Sequence, residues 1–409
     1  MKKKAIALLL VAAMGLACTA CGQKNSSGGG SAASSSGSAA SSSSSAAGEP
    51  IKIGFFAPIT SAAASADGES TRNAVELAAK MLNDGGGING RPVELVIYDD
   101  GLDTTQAVSI AEKLTTKDGI VAAVSGSYSG PTRVAAPIFQ AAGIPLVSAY
   151  AVHPDVVNAG DFVFSQSFPG KVQGTAGAQF AVDTLGTKRI AIIAVDLDFG
   201  TELADTFSTY ATAHGAEIIS YDKVAISDNE FSSVVTKVKS LNPDLIYLAN
   251  YYGHAAEVLK QCKLQGLNVP ILGTEGADSW QFLQTAGEYA EGFYITTNLD
   301  RDAQDAAVQE FIKLYKETYK MEPDMVGASA YDAMQIVFEA IKQVGTDPVA
   351  MKECIAGMKD IDTVTGKLLY YTQTGEAVKA VQIQQVKDGA FHHYGSIDDL
   401  AIIDPDNYS

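Results

Sequence analysis

The chain has 409 residues, 46% of them hydrophobic and 19% charged, which is enough apolar material for a large core and for more than one domain. Its formal net charge of −18 lacks the basic balance that a phosphate backbone demands, so nucleic acid is excluded as an expected partner. The acidity favours solubility and says little about any local site.

The first fifty residues suggest a destination. Lys2, Lys3 and Lys4 precede an apolar run of thirteen residues from Ala5 to Ala17. That length matches a signal-peptide core of about 7–15 residues and falls short of the roughly 20 that span a bilayer. Small residues then lead to Cys18 and Cys21. The pattern resembles a bacterial lipobox, in which a cysteine becomes the lipidated first residue of the mature chain. Thr19-Ala20-Cys21-Gly22 is the better match, because a small residue precedes the cysteine and a polar tract follows. Residues 1–20 are then a signal peptide and Cys21 the lipidated residue. Cys18, or a plain secretory peptide cut elsewhere, is the alternative. Residues 23–48 are almost wholly Ser, Ala and Gly and read as a flexible tether, so 21–49 joins the membrane to the folded part.

Folding is expected from Ile51. Ile51 to Phe56 reads as a strand, Asp67 to Asn83 as a helix with apolar residues at helical spacing, and the glycine run 85–90 as its cap and turn. Strand 93–98, helix 104–118 and strand 120–124 follow, then a helix opened by Pro131 and strand 146–148. The alternation resumes with strand 189–195, helix 199–214, strand 217–221, helix 230–240, strand 245–248, helix 254–265 and strand 269–272. Apolar strands joined by helices predict parallel sheets covered on both faces. The fold class is therefore α/β, with two similar doubly wound lobes. The tail departs from the pattern, with helices at 303–319 and 325–344 and strands at 367–371 and 380–387. Cys262 and Cys354 fall in helix-like stretches far apart and are expected as free thiols.

No pattern points to catalysis. Gly126-Ser127-Tyr128-Ser129-Gly130 looks like a nucleophile elbow, but its central residue is Tyr128. None of the five histidines has metal-ligand spacing, and His392-His393 reads as a solvated pair. The glycine run at 85–90 follows a helix and lacks the Gly-Lys-Ser/Thr of a phosphate loop. Asp99-Asp100 reads as a satisfied turn. Neither an enzyme nor a cofactor or metal site is expected.

Binding fits better. Solutes sit beyond the carboxyl ends of strands in open α/β sheets. Residues 125–129 lie at such an end, directly before a helix whose unpaired N–H groups attract a carboxylate. Ser129 either adds a hydroxyl donor there or only caps the helix. Tyr251 and Glu275 follow strands of the second series, and an acid there can meet an ammonium.

Several stretches together resemble the branched-chain amino-acid-binding proteins of ABC importers, the leucine/isoleucine/valine type. They are Ile51 to Gly54, Gly86 to Arg91, Tyr98-Asp99-Asp100 with Gln106-Ala107-Val108, Asp228 to Lys237, Gly273 to Gly276, Ala290-Glu291-Gly292 and Asp362 to Gly366. The resemblance covers residues 50 to about 390. It implies a periplasmic binding fold of type I, with three crossovers joining lobe I (50–170 plus 299–378) to lobe II (171–298 plus 379–409). It implies that a monomer traps an amino acid, branched-chain or aliphatic, by hinge closure. The solute then passes to the permease and ATPase of an importer at a lipid-anchored position outside the membrane. By motif, Ser129 matches the serine that binds the solute's carboxylate, and Tyr150 and Val152 match a segment that holds the same groups. Glu275 matches the acid that pairs with the ammonium, and Tyr251 and Phe199 match aromatic positions facing the solute. Three residues depart. Val152 stands where Thr is usual, Tyr150 where a small residue is common, and Asp67 near where an aromatic walls the side-chain pocket. Leu102 and Tyr128 replace a cysteine pair of some relatives. A sensor on the same fold, or import of an amide or urea, is the alternative.

Overall fold

The computed structural model describes residues 48–408. The leader, Cys21 and most of the tether lie outside the described residues. The first sheet has five parallel strands in the order β2-β1-β3-β4-β5. These are β1 (Ile51–Ala57), β2 (Val93–Asp99), β3 (Ala122–Ser125), β4 (Leu146–Ser148) and β5 (Val163–Ser165). Helices α1 (Ser65–Asp84), α2 (Thr104–Thr116) and α3 (Ser129–Ala142) connect the first four. Neighbours in β1 face opposite ways, as the pleat requires. Ile53 and Phe55 pack into one apolar cluster, Phe56 into another on the opposite face. Both faces of β1 are therefore buried, which is why it is mostly apolar without polar alternation.

After α4 (Gly170–Gln179) a second sheet follows, with strands β6 (Arg189–Val195), β7 (Glu217–Val224), β8 (Leu245–Ala249), β9 (Ile271–Gly273) and β10 (Tyr294–Thr297) all parallel. Helices α5 (Asp198–Ala213), α6 (Ser232–Ser240), α7 (Tyr252–Leu264) and α8 (Trp280–Ala286) alternate with them. The chain then returns toward the first sheet. Helix α9 (Ala306–Tyr319) leads to α10 (Met325–Val344), which packs on α1, β3 and β4. Past α11 (Pro348–Ala356), strands β11 (Lys359–Thr363), β12 (Gly366–Tyr371) and β13 (Ala377–Val378) make a small antiparallel sheet. Strands β14 (Val381–Lys387) and β15 (Ala390–Ile397) finally extend the second sheet antiparallel to β10, giving the order β15-β14-β10-β9-β8-β6-β7. The α/β reading with two sheets built on parallel strands is thus observed.

Some local expectations shift. Helix α3 begins at Ser129, so Pro131 is its third residue and not its first; Tyr128 is the N-cap. Helix α1 starts two residues early, at Ser65. The turn after α1 needs glycine at Gly87, where φ is +74° and an added Cβ would lie 2.1 Å from the carbonyl oxygen of Arg91. Cys262 is buried, Cys354 partly so, and the two are unpaired. No helix among the described residues is long and apolar enough to cross a membrane.

Buried polar groups tie the returning segments together. Asn298, just past β10, donates to the hydroxyls of Ser167 (3.2 Å) and Ser329 (2.9 Å). Asp332 on α10 accepts from the backbone N–H of Val364 and Thr365, both at 2.9 Å, and from the Thr365 hydroxyl. Lys379, fully buried between β13 and β14, donates to the hydroxyls of Thr365 and Thr363. Burial holds its ammonium down to about 8. Asp332→Ala would strand two buried N–H donors and remove the charge that faces Lys379 across one hydroxyl. A loss of about 3–5 kcal/mol is expected, read as a lower urea midpoint.

Candidate functional site

One inner cavity gathers residues that each follow the carboxyl end of a parallel strand. Asp67 follows β1 in the first turn of α1; Tyr128 and Ser129 follow β3; Tyr150 follows β4. From the second sheet come Phe199 after β6, Tyr251 after β8, and Glu275 and Gly276 after β9. Met325 and Val326 at the start of α10 complete the lining. The cavity measures about 20 Å³, room for one water-sized molecule. It opens into a wider cleft of about 570 Å³ that shares Tyr128, Ser129, Phe199 and Tyr251 and adds Arg133, His153, Asp198 and Glu202. At that mouth Arg133 of α3 pairs with Asp198 of α5 at 3.0 Å, joining helices of the two sheets.

Ser129 is the first residue of α3, so its N–H and that of Gly130 have no intrahelical acceptor, and Pro131 has no N–H to leave. Its hydroxyl oxygen accepts the backbone N–H of Val152 at 3.3 Å, leaving its own hydrogen free to donate. Ser129 therefore does not act as the helix cap. Val152 itself does not line the cavity; its backbone positions Ser129. Tyr150 lines the wall, and its hydroxyl donates to the carbonyl of Gly126 at 2.9 Å.

The aromatic lining is continuous across the two sheets. Tyr128 stacks on Tyr251 with centroids 4.6 Å apart, and Tyr251 stacks on Phe199 at 4.8 Å. Tyr150 meets Tyr128 edge-on at 6.1 Å. Gly276 permits this packing: an added Cβ would lie 2.7 Å from the Asn250 carbonyl oxygen and 3.1 Å from the Phe199 ring. Sequence reasoning missed Tyr128 as a site residue. Its only signal was adjacency to Ser129 at a strand end. Met325 and Val326 carried none.

Carboxylates dominate the electrostatics. Asp67 is buried and accepts the Tyr128 hydroxyl at 2.6 Å; burial nevertheless pushes its carboxyl up to about 6. Glu275 is 4% exposed, and its Oε2 has no hydrogen-bond partner. Burial pushes it up to about 8. Behind it, Asp278 pairs with Arg301, which also donates to Gln384 at 3.0 Å. Asp324 is fully buried against the Ser70 hydroxyl and pushed up to about 7, chiefly by burial. Among the described residues, no Lys, Arg or His lines the inner cavity. The expected turn at Asp99-Asp100 is present, with the two carboxylates accepting from Thr60, Gly101 and Leu102.

A family model described as periplasmic binding protein matches residues 50–390. A leucine-, isoleucine-, valine-, threonine- and alanine-binding protein of Pseudomonas aeruginosa is 26% identical over 324 residues, 79% of this chain and 86% of its own. The crystal structure of a leucine-binding protein of Thermotoga maritima superposes with a TM-score of 0.78 at 28% identity, covering 85% of this chain and 99% of that one. A branched-chain amino acid transporter substrate-binding protein of Streptococcus pneumoniae, solved with isoleucine, gives 0.79 at 26% identity over 85% and 99%.

The acid shift has a stability consequence whose sign is opposite to that of a salt-bridged carboxylate. Between about pH 4.5 and 8 the unfolded chain releases the Glu275 proton and the folded chain keeps it, so stability falls as pH rises through that window. Glu275→Gln removes this loss. The solute-free variant is expected to exceed the native protein by about 3–5 kcal/mol at pH 8, with the difference vanishing toward pH 4.5, in urea titrations at both pH values.

Proposed function

The chain belongs to the periplasmic binding protein family, and from that premise we propose that it is the extracytoplasmic solute-binding component of an ABC importer, holding an α-amino acid between two lobes. The family is one of solute-binding proteins and not of enzymes. The relatives' names carry leucine, isoleucine, valine, threonine and alanine, and an aliphatic side chain is the base reading here. Delivery goes to a membrane permease and its ATPase, from a monomer anchored through lipid on Cys21.

One observation carries the reading. A buried carboxylate with an unpartnered oxygen, Glu275, shares a small cavity with Ser129 and the open N-terminal turn of α3. The first is a socket for an ammonium. The second offers neutral donors to a carboxylate. They come from different sheets, so an α-amino acid bridges them only when the lobes approach. The lobes we assign are 50–170 plus 299–378 and 171–298 plus 379–409. Closure excludes water and strengthens both contacts. The space of about 20 Å³ is smaller than any amino-acid side chain worth binding, so entry requires the lobes to part and the Tyr128 ring to leave Tyr251.

Glu275→Ala is expected to weaken α-amino-acid binding by about 3–5 kcal/mol, beyond detection for a micromolar solute. Near-native affinity in calorimetry would remove Glu275 from the site. A second consequence concerns pH. The free protein holds a proton on Glu275 up to about pH 8, and an ammonium displaces it. Affinity should therefore rise by up to about tenfold per pH unit from 6 to 8 and level off above, with one proton released per solute. Calorimetry in buffers of different protonation heat counts that proton.

A further inference from the structure

Two buried carboxylates line the inner cavity, and only one is used by an α-ammonium. The other, Asp67, lies on α1 beneath the Tyr128 hydroxyl. Resting on the α-amino-acid reading above, we propose that Asp67 is a second cation socket, so that the solute class extends from aliphatic to basic α-amino acids whose aliphatic stem ends in an ammonium.

Charge balance is the first support. The donors that face the solute's carboxylate, Ser129 and the first turn of α3, are neutral. An amino acid with a neutral side chain would bring one ammonium to a cavity that then holds Asp67, Glu275 and its own carboxylate. That leaves two negative charges in excess, out of water. A second cation on the solute leaves one. Arg301 does not supply it, because it is engaged by Asp278 and does not line the cavity. Asp324, fully buried, adds a further acid whose field acts together with that of Asp67.

The lining is the second support. Tyr128, Tyr251 and Phe199 stack nearly parallel, with interplanar angles of 18° and 15°. Displaced from that stack, their faces offer an apolar path for a methylene stem and an electron-rich surface for an ammonium. Met325 adds an adaptable wall. Asp67 lines the same cavity, and its carboxylate accepts the Tyr128 hydroxyl at 2.6 Å.

The rival explanation is that Asp67 only orients Tyr128. L-Lysine and L-norleucine separate the two, since they share a stem and differ in the terminal ammonium. Calorimetry on the full chain at pH 8 is expected to show L-lysine or L-ornithine bound at least tenfold tighter than L-norleucine; a ratio below tenfold overturns the proposal. In Asp67→Asn the amide oxygen still accepts the Tyr128 hydroxyl while the charge is gone. There the ratio should collapse below threefold, and a ratio of threefold or more removes Asp67 as the cation socket. L-Norleucine or L-leucine bound while L-lysine and L-ornithine are not would end this inference alone. Failure of all four would end the α-amino-acid reading with it.

Discussion

A carboxylate kept out of water with one oxygen unpartnered is the constraint around which this molecule is arranged. Glu275 sits just beyond β9, where the parallel sheet ends and loops from β6 and β8 close over it. An isolated buried charge is too costly to persist, so the group holds its proton when nothing positive is near. A protein gains nothing from such a residue in the folded state alone. Its presence makes sense when a cation from outside completes it, and the open helix terminus at Ser129 makes sense when the same solute carries an anion.

The contrast with the other buried charges sharpens this. Asp278 has Arg301 and the Thr297 hydroxyl. Asp332 has two backbone donors and a threonine hydroxyl, and Lys379 has two threonine hydroxyls. These groups sit where the chain passes between the two sheets, and satisfied networks there fix the connecting segments to one arrangement. Glu275, which lines the cleft, has an oxygen with no such partner.

Much of the fold was legible because both sheets are built on parallel strands with helices on both faces. Their strands are uninterrupted apolar runs, as at Arg189–Val195 and Leu245–Ala249, and the joining helices carry helical spacing. The short strand Val163–Ser165 and the helix Gly170–Gln179 were not legible. The first is three residues long, and the second is rich in Gly, with nearly every residue buried, so it shows no amphipathic stripe. In the site, Ser129 and Glu275 could be named because they follow strands and belong to short motifs. Tyr128 could not, because its importance comes from stacking on Tyr251 of the other sheet, a contact no local pattern encodes. Val152 was named through a segment whose backbone holds the solute's groups, and its N–H is spent on the Ser129 hydroxyl oxygen, a contact no side-chain pattern encodes.

Two opposing terms meet in the cleft. The stack of Tyr128 on Tyr251 and the pair of Arg133 with Asp198 draw the sheets together without any solute. Such a stack is worth about 0.5–1.5 kcal/mol beyond its buried area, and a half-exposed ion pair about 0–1 kcal/mol. Bringing Asp67 toward Glu275 works against closure whenever both are ionised, because like charges in a dry cavity repel strongly. A cation between them changes the sign of that term, and a solute shifts a two-state equilibrium only through such a difference between the states. The weak attractive contacts then set how nearly balanced the empty molecule is, while the acids decide which solutes tip it. On the proposed roles of Asp67 and Glu275, selectivity and closure are the same interaction, exerted through two carboxylates contributed by different sheets.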